Sequence, residues 1–386
     1  MMLIFSCLIG ATLGFCLVSQ WWRSCFKRLS VLFRHSICRA AQFSSSEVML
    51  PCESLQFDSL KSNNSWLYRT ASFIDLWGIF IKERLIEDSP AEVQGSVGYI
   101  FCVQGKLMRS RIFHLVCEAC NGITSPALAA AIELEHTASL LHDDVVDNAH
   151  TRRGRASHCE VFGNLRSILH GDYLVAVLVE ILADLDICDV TKLFGSSMED
   201  LVRGELIQIN TLDFTDLNQD EIVQHLLKIY LEKCYCKTAA LFVVCVAAAG
   251  TVSGHGNKPA MRELGLCVGM CFQIVDDILD FGNDPASLKP SDGFDLASGH
   301  ATAPVIFAVE EFPDALIPRI ERRFKNPTDR MVALNLVRRS KGIEASVKLA
   351  ERYASRAKQI IKHEFRESDY RTALESIVDV ILNRST

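Results

Sequence analysis

The stretch of residues 127–146, ALAAAIELEHTASLLHDDVV, decides how the chain folds. It is rich in Ala and Leu and contains neither Gly nor Pro, a composition that favours a long α-helix. Apolar side chains occupy most of its faces, so we expect this helix in the interior of a bundle. The stretch nevertheless ends close to Asp143 and Asp144, and Asp147 follows it directly. Adjacent carboxylates repel one another and are costly to bury alone, so a positive partner is expected beside them.

Two further stretches have the same helical character, residues 221–250 (EIVQHLLKIYLEKCYCKTAALFVVCVAAAG) and 261–281 (MRELGLCVGMCFQIVDDILDF). Gly and Pro gather in short joints, such as NGITSP at 121–126 and SGHGNKP at 253–259. No long segment alternates apolar and polar residues with the period of a strand. The sequence therefore predicts an all-α fold, a single large helical bundle over residues 72–386 with a central substrate cavity.

The overall composition is that of a rather apolar globular protein. The chain has 386 residues, of which 49% are hydrophobic, and its formal net charge is −7. This charge argues against a nucleic-acid partner, which needs a basic surface. Many of the 15 cysteines lie in apolar segments, as buried thiols of a reducing compartment do. Cys117 and Cys120 have the spacing of a zinc-binding pair, but without a second pair we interpret them as buried apolar side chains.

Residues 1–46 have a different composition from the rest. An apolar run at 3–19 is followed by five basic residues, and no acidic residue occurs before Glu47. Acid-poor sequence with Arg and Ser is typical of organelle transit peptides. We predict a targeting segment over 1–46 and a linker over 47–71. The segment is interpreted as a mitochondrial presequence; the alternatives are a two-part plastid signal and a membrane anchor, through which the chain would associate with a membrane.

One acidic pattern occurs twice in the chain. The spacing of Asp143 and Asp147 recurs at Asp276 and Asp280, each time beside an apolar helical stretch. Residues four apart in a helix project about 40° from one another, so each pair shares a face. One such pattern alone would fit a solvated helix end. Two copies with the same spacing favour metal binding, and a ligand set of carboxylate oxygens favours Mg²⁺ shared with substrate phosphates.

Basic residues accompany the acidic patterns near the predicted helix ends. Metal binding alone does not account for them, because the carboxylates already balance the charge of a divalent cation. Cations and bound metal around one cavity are typical of a diphosphate site, and the apolar helices around it predict a hydrocarbon tail on the ligand. The candidates are Lys106, Arg109, Arg152, Arg153, Lys237 and Lys289.

With these motifs in this order, the sequence resembles the trans-polyprenyl diphosphate synthases of the long-chain type, such as solanesyl, octaprenyl and decaprenyl diphosphate synthases. The resemblance rests on GKLMR at 105–109, HTASLLHDDVVDNAHTRRG at 136–154, GELIQ at 204–208, KTAAL at 237–241, FQIVDDILDF at 272–281 and DLASGHATAPVIFA at 295–308. It implies the helical isoprenoid synthase fold and the repeated condensation of isopentenyl diphosphate with an allylic diphosphate, to make a quinone side chain. It also implies about three Mg²⁺ ions and a homodimer, with a heteromer as the alternative.

The resemblance gives a role to each matching position. The residues expected in catalysis are Asp143, Asp144, Asp147, Arg152, Lys237, Asp276 and Asp277. The expected metal ligands are Asp143, Asp147, Asp276 and Asp280. Isopentenyl diphosphate is expected on Lys106, Arg109, His136 and Arg153. The allylic substrate is expected on Arg152, Lys237, Thr238 and Gln273, with Lys289 as a further diphosphate-binding residue. Ala138 and Ser139, small residues about one turn before Asp143, are expected to leave room for a long chain.

Several alternatives stay open at this point. A terpene cyclase would share the metal site but lacks the isopentenyl subsite, and a non-catalytic partner subunit typically loses one acidic motif, whereas this chain keeps both. A shorter-chain, geranylgeranyl-type synthase would share the motifs. A di-iron carboxylate bundle would need repeated Glu-x-x-His pairs, and ELEH at 133–136 occurs once. The chain departs from the family pattern at Ser110, where Pro is usual.

Overall fold

The structure is a computed structural model that describes residues 70–74, 78, 84–85, 89–101, 105–209, 214, 217–282 and 293–384. The predicted targeting segment, the predicted linker apart from residues 70–71, and Lys289 lie outside the described residues. The predictions made for them therefore stay predictions.

Nearly all regular structure in the described residues is helical. Residues 70–74 are helical, and the next helices are α1 (Ala91–Phe101), α2 (Met108–Cys120), α3 (Pro126–Val146), α4 (His158–Phe162), α5 (Asn164–Leu185) and α6 (Cys188–Ile209). They are followed by α7 (Gln219–Cys234), a π-helical turn (Tyr235–Ala239), α8 (Ala240–Val252) and α9 (Lys258–Leu279). The last are α10 (Phe294–Ala297), α11 (Ala303–Ala308), α12 (Pro313–Glu321), α13 (Asp329–Arg339), α14 (Gly342–Glu364) and α15 (Asp369–Asn383). Strands β1 (Thr151–Arg152) and β2 (Arg155–Ala156) form a small antiparallel pair with Thr151 opposite Ala156. The prediction of an all-α fold is confirmed.

Helix α8 is the centre of the bundle. Every residue from Ala240 to Gly250 is buried, and the helix packs against α9, α2 and α6. By length and composition alone, the continuous stretch Gln219–Val252 could cross a membrane, but 72% of its most apolar window is buried inside the protein. Such burial is what the core helix of a folded bundle shows, and it accounts for the strongly apolar sequence of this stretch.

Two glycines bring α9 unusually close to the chain around α8. A Cβ atom on Gly265 would lie 2.6 Å from the carbonyl oxygen of Phe242, and one on Gly269 would lie 2.5 Å from the Cα atom of Ala239. No real side chain tolerates such distances, so the backbones touch only because both residues are Gly. This contact places the π-helical turn directly against α9.

Local sequence explains where α3 begins and ends. The Ser125 side chain accepts a hydrogen bond from the backbone N–H of Leu128 (3.2 Å), and Pro126 occupies the first helical position, where its missing N–H costs nothing. At the other end the N–H of Asp147 donates to the carbonyl oxygen of Asp143 (2.8 Å), and Asn148 then turns the chain with a φ of 51°. The helix therefore ends within the first aspartate motif.

Buried histidines and serines connect α1, α4 and α5. His158 Nδ1 lies 2.7 Å from Ser167 Oγ, His158 Nε2 lies 3.3 Å from His170 Nδ1, and His170 Nε2 lies 3.1 Å from Ser96 Oγ. Burial, helped by the neighbouring His170, lowers the pKa of His158 to about 4. The neutral form of His158 is therefore the one that packs in this cluster.

Acidification should cost the wild-type protein stability that a His158→Gln variant does not lose. The unfolded chain binds a proton at His158 near pH 6.5, whereas the folded chain resists it until about pH 4. The stabilisation is thus complete above pH 6.5 and declines as the pH falls towards 4. The Tm advantage of the wild type is expected to shrink by about 2–4 °C between pH 7 and pH 5. Thermal unfolding at a series of pH values measures it, with exposed His225→Gln as the control; an advantage independent of pH would contradict the prediction.

Candidate active site

The two aspartate motifs lie at equivalent places in the fold, the C-terminal ends of α3 and α9. Asp147 follows the last residue of α3, and Asp280 follows the last residue of α9. The C-terminal end of a helix carries partial negative charge, so carboxylates are unfavourable there and cations are favourable. Both helix ends therefore add to the attraction of their aspartates for a positive partner.

In the first motif Asp144 and Asp143 have different surroundings. Asp144 is buried, and its Oδ1 accepts from the Arg152 Nε–H (2.9 Å) and from a second guanidinium N–H of the same arginine. Asp143 is half-buried. Burial raises its pKa to about 7, an effect that Lys237 opposes and Glu205 and Asp147 reinforce. Asp143 thus lacks enough positive charge in the protein alone, which is what a metal ligand would show.

Lys237, on the π-helical turn, faces the first motif. Its Nζ lies 2.5 Å from Glu205 Oε1 and 3.3 Å from Gln208 Oε1, both on α6. The close approach of α6 depends on Gly204, where a Cβ atom would lie 2.7 Å from Lys237 Cγ. Glu205 and Gln208 were not among the predicted site residues, although both belong to the GELIQ motif that signalled the family.

The carboxylates of the second motif also have different hydrogen-bond partners. Asp277 is buried, and its oxygens accept hydrogen bonds from the Tyr230 hydroxyl (2.6 Å) and from Gln273 Nε2 (2.7 Å). Burial raises the pKa of Asp277 to about 6. The carboxylate of Asp280 accepts from the backbone N–H groups of Phe294 (2.8 Å) and Asp295 (3.1 Å). Asp280 thus anchors the start of α10, a role that the spacing of the motif did not predict.

Asp276, the first carboxylate of the second motif, is paired with a residue that sequence reasoning missed. Arg384 Nη2 lies 2.6 Å from Asp276 Oδ1 and donates to the carbonyl oxygen of Phe272 (2.6 Å), and its guanidinium lies 4.0 Å above the Phe272 ring. No motif surrounds Arg384, and 108 positions separate it from Asp276 (384 − 276). A metal ion on Asp276 Oδ1 would have to take the place of this arginine.

The predicted isopentenyl subsite is a cluster of arginines around His136. Burial and the positive charges of Arg109, Arg153 and Arg152 lower the pKa of His136 well below its usual value. The guanidinium of Arg109 lies 4.7 Å above the Phe242 ring, and its buried Nε has no hydrogen-bond partner among the described residues. A buried donor without an acceptor is costly, so this cluster fits an anionic ligand.

Two neighbours shape this cluster. The backbone N–H and the hydroxyl of Ser110 both donate to Glu133 Oε1 (3.1 and 2.9 Å). A proline at this position could supply neither bond, so the departure from the family pattern has a structural use here. A Cβ atom on Gly105 would lie 2.7 Å from Arg153 Nη2, so the Arg153 guanidinium lies directly against Gly105, next in the chain to exposed Lys106.

The donor set fits Mg²⁺ better than a closed metal centre. Within the described ranges, no three His, Cys, Asp or Glu side chains are placed to hold one ion. Each helix end instead offers one or two carboxylates, as expected for Mg²⁺ that keeps waters and shares substrate phosphates. The di-iron alternative is not favoured, because Glu133 is engaged by Ser110. Cys117 and Cys120 are free thiols whose pKa values burial raises, to about 12 and about 11.

The π-helical turn joins the parts of the site. Lys237 faces Asp143, and the hydroxyl of Thr238 donates to Gln273 Oε1 (2.6 Å) on the helix of the second motif. Asp276 in turn lies within the electrostatic reach of Arg109. The structure thus connects the two motifs, through Lys237, Thr238 and Gln273, with the arginine cluster. Two carboxylate-bearing helix ends beside an arginine cluster define a metal-dependent enzyme that acts on diphosphates.

The chain belongs to the polyprenyl synthetase family, whose family model matches residues 90–337. It is 39% identical over 261 residues to decaprenyl-diphosphate synthase subunit 1 of Schizosaccharomyces pombe, covering 67% of this chain and 68% of the relative. It is 37% identical over 257 residues to the mitochondrial solanesyl-diphosphate synthase 1 of rice, Oryza sativa subsp. japonica, covering 66% of this chain and 58% of that one. The matched region thus leaves a substantial part of these relatives uncovered.

Solved structures agree with this assignment. A polyprenyl synthase from Caulobacter crescentus CB15, complexed with calcium and isoprenyl diphosphate, superimposes with a TM-score of 0.73 at 28% identity, covering 84% of this chain and 98% of that one. A decaprenyl diphosphate synthase from Rhodobacter capsulatus gives a TM-score of 0.73 at 26% identity, covering 83% and 98%. The predictions of the isoprenoid synthase fold and of a trans-prenyltransferase of this family are confirmed.

Proposed function

We propose that this enzyme adds isopentenyl diphosphate repeatedly to an allylic diphosphate and makes a long-chain all-trans polyprenyl diphosphate for a quinone side chain. The observation that carries the proposal is the arginine cluster with the unpaired Nε of Arg109, next to Asp276 and within one connected site with Asp143. Such a cluster provides for a second diphosphate beside the metal-bound one. A terpene cyclase, which ionises a single diphosphate, has no use for it.

The residues suggest how the reaction would run. Asp143, Asp147, Asp276 and Asp280 would hold Mg²⁺, about three ions in all, which would neutralise the leaving diphosphate. Arg152 and Lys237 add positive charge at the same end of the cavity. The allylic C–O bond breaks, the double bond of isopentenyl diphosphate attacks the allylic cation, and a proton then leaves to the released diphosphate. Buried apolar helices around the site would keep water from the cation.

One assay tests the proposal. Residues 47–386 are incubated with Mg²⁺, isopentenyl diphosphate and a short allylic starter, and the products are separated by chain length. The expected result is a series that ends at long polyprenyl diphosphates. Products that stop at four isoprene units would favour a geranylgeranyl-type synthase. Absence of any condensation by folded protein would favour a partner subunit, the arrangement suggested by the name of the S. pombe relative.

We also propose that the chain forms a homodimer through α5 and α6. Both helices expose an apolar stripe at helical spacing, and the exposed fraction reaches 71% at Leu165 and 60% at Val202. Residues 186–187 alone separate the two helices along the chain, so both stripes belong to consecutive helices. Apolar stripes of this extent on a monomer mark interaction surfaces, and a face that meets its own copy suits a two-fold dimer. The stripe consists of Leu165, Ile168, Leu169, Val179, Val202, Leu206 and Ile209.

A charge placed in this stripe should separate the dimer. Leu169→Glu is expected to shift the mass measured by light scattering from that of two chains to that of one, because an unpaired carboxylate buried in an apolar interface costs several kcal/mol. Val347→Glu is the matched control, since Val347 is a partly exposed apolar residue on α14. A Leu169→Glu protein that keeps the dimer mass would place the interface elsewhere.

The location in the cell is also a proposal. Relatives include mitochondrial enzymes, such as the hexaprenyl pyrophosphate synthase of Saccharomyces cerevisiae, and the chloroplastic solanesyl-diphosphate synthase 2 of rice. The acid-poor composition of residues 1–46 supports an organelle, and we favour the mitochondrion. A fluorescent protein fused after residue 71 would report which organelle imports it.

A further inference from the structure

The middle carboxylate of the second motif is held by a chain of hydrogen bonds. The hydroxyl of Tyr230 donates to Asp277 Oδ2 (2.6 Å), and Gln273 Nε2 donates to Asp277 Oδ1 (2.7 Å). The hydroxyl of Thr238 completes the chain by donating to Gln273 Oε1 (2.6 Å). Tyr230 is only 2% exposed and Asp277 only 3%. Both oxygens of Asp277 are thus used by groups within the protein.

This chain ties three elements together at the site. Tyr230 lies on α7, Thr238 on the π-helical turn, and both accepting residues on α9. Tyr230 pairs with Asp277 and Thr238 with Gln273, so the two segments run antiparallel and touch at two levels. Two contacts at different heights fix the rotation of a helix about its axis, which one contact cannot do.

The rotation of α9 matters because the helix ends here. Its last residue is Leu279, two positions beyond Asp277. Terminal turns lack part of their hydrogen bonding and fray. Asp276 and Asp277 are adjacent and project about 100° apart, so Asp276 turns away from the buried side when Asp277 is held there.

We propose that Tyr230 is a positioning residue, which holds Asp277 so that Asp276 is presented to the metal ion. This inference rests on the metal role proposed above for Asp276. Phenylalanine would fill the same space but leave Asp277 Oδ2 a buried acceptor without its donor. Burial and the nearby Asp277 raise the pKa of the Tyr230 phenol well above its usual value, so the hydroxyl keeps its proton at neutral pH.

The test measures metal binding directly, without turnover. Mn²⁺ is titrated into the full chain carrying Asp143→Ala, so that the second motif dominates, and free Mn²⁺ is followed by its paramagnetic resonance signal. Adding Tyr230→Phe is expected to weaken Mn²⁺ binding about tenfold, the effect of one lost hydrogen bond to a buried charged group. Tyr370→Phe is the matched control, because Tyr370 is half-buried in the first turn of α15, whereas Arg384, the partner of Asp276, follows the opposite end of that helix. It should leave Mn²⁺ binding unchanged.

Further variants separate this inference from the metal assignment. Asp276→Asn should abolish binding at the second motif; if it binds Mn²⁺ normally, the metal assignment itself fails. If Asp276→Asn loses Mn²⁺ while Tyr230→Phe binds it like the parent, only the positioning role is overturned. If Tyr230→Phe lowers Tm without changing Mn²⁺ affinity, its role is structural and the proposal is again overturned. Should Tyr230→Phe not fold, Asp277→Ala removes the acceptor of the same bond, and unchanged Mn²⁺ affinity would reject the proposal. In the variant that combines Tyr230→Phe with Asp277→Ala, the two losses of Mn²⁺ affinity should not add, because both changes remove the same interaction.

Discussion

Asp143→Ala is expected to lower kcat by about three to four orders of magnitude, the loss typical of removing charge stabilisation worth several kcal/mol. Asp143 is half-buried, and burial raises its pKa to about 7 although the charge of Lys237 opposes the shift. An alanine there removes a metal ligand without opening a core cavity. Steady-state turnover of purified protein, with saturating Mg²⁺, measures the effect.

The same variant should fold at least as well as the wild type. A half-buried carboxylate beside Glu205 and Asp147 destabilises the metal-free protein, and alanine relieves that repulsion. We therefore expect an unchanged or higher Tm in the absence of metal, the usual trade between activity and stability at such sites. Asp184→Ala, at an exposed position near the C-terminal end of α5, controls for the loss of an aspartate. Near-normal turnover of Asp143→Ala would refute the metal assignment.

Ala138→Phe is expected to shorten the main product to about three or four isoprene units while the first condensations continue. Ala138 is 2% exposed on α3, just over one turn before Asp143. A growing chain passing this point would gain about 0.8 kcal/mol for each CH₂ it buries, and an aromatic ring would block its path. Chromatography of the polyprenyl products, relative to wild type, reports the change.

A graded series controls for simple overpacking. Extra volume in a packed core costs about 1–3 kcal/mol, so Phe at this buried position is also expected to lower Tm. Ala138→Ser should leave product length unchanged, and Ala138→Leu should give an intermediate length. An active Ala138→Phe enzyme with the wild-type product pattern would show that another residue limits the chain. Loss of all condensation together with a collapsed Tm would instead reveal a packing role for Ala138.

The helices could be predicted from sequence because their signals are local. The stretch 127–146 has the composition of a long helix, and α3 indeed spans Pro126–Val146. The π-helical turn could not be predicted, since KTAAL has the composition of an uninterrupted helix. It arises where the chain meets Gly204 on α6 and Gly269 on α9, contacts between residues far apart in sequence.

The site residues show the same difference between local signals and contacts that only the folded chain makes. The two motifs identified the carboxylates, because identical spacing on two apolar helices is visible in one sequence. The different fates of Asp143 and Asp144 could not be read from it, because only the folded chain places Arg152 against one of them. Tyr230 and Arg384 were missed for a related reason: neither belongs to a motif, and each reaches its aspartate across a long separation in sequence.

The glycine contacts between α8 and α9 also limit how this enzyme can be engineered. Replacing helical Gly with Ala commonly stabilises proteins by about 0.4–1 kcal/mol, because the unfolded chain loses freedom. Gly95 on α1 and Gly195 on α6 have open space around them and suit this strategy. At Gly265 or Gly269 the same change would push α9 away from the π-helical turn and separate Thr238 from Gln273. A library built for heat resistance should therefore vary the first two glycines and leave the second two untouched.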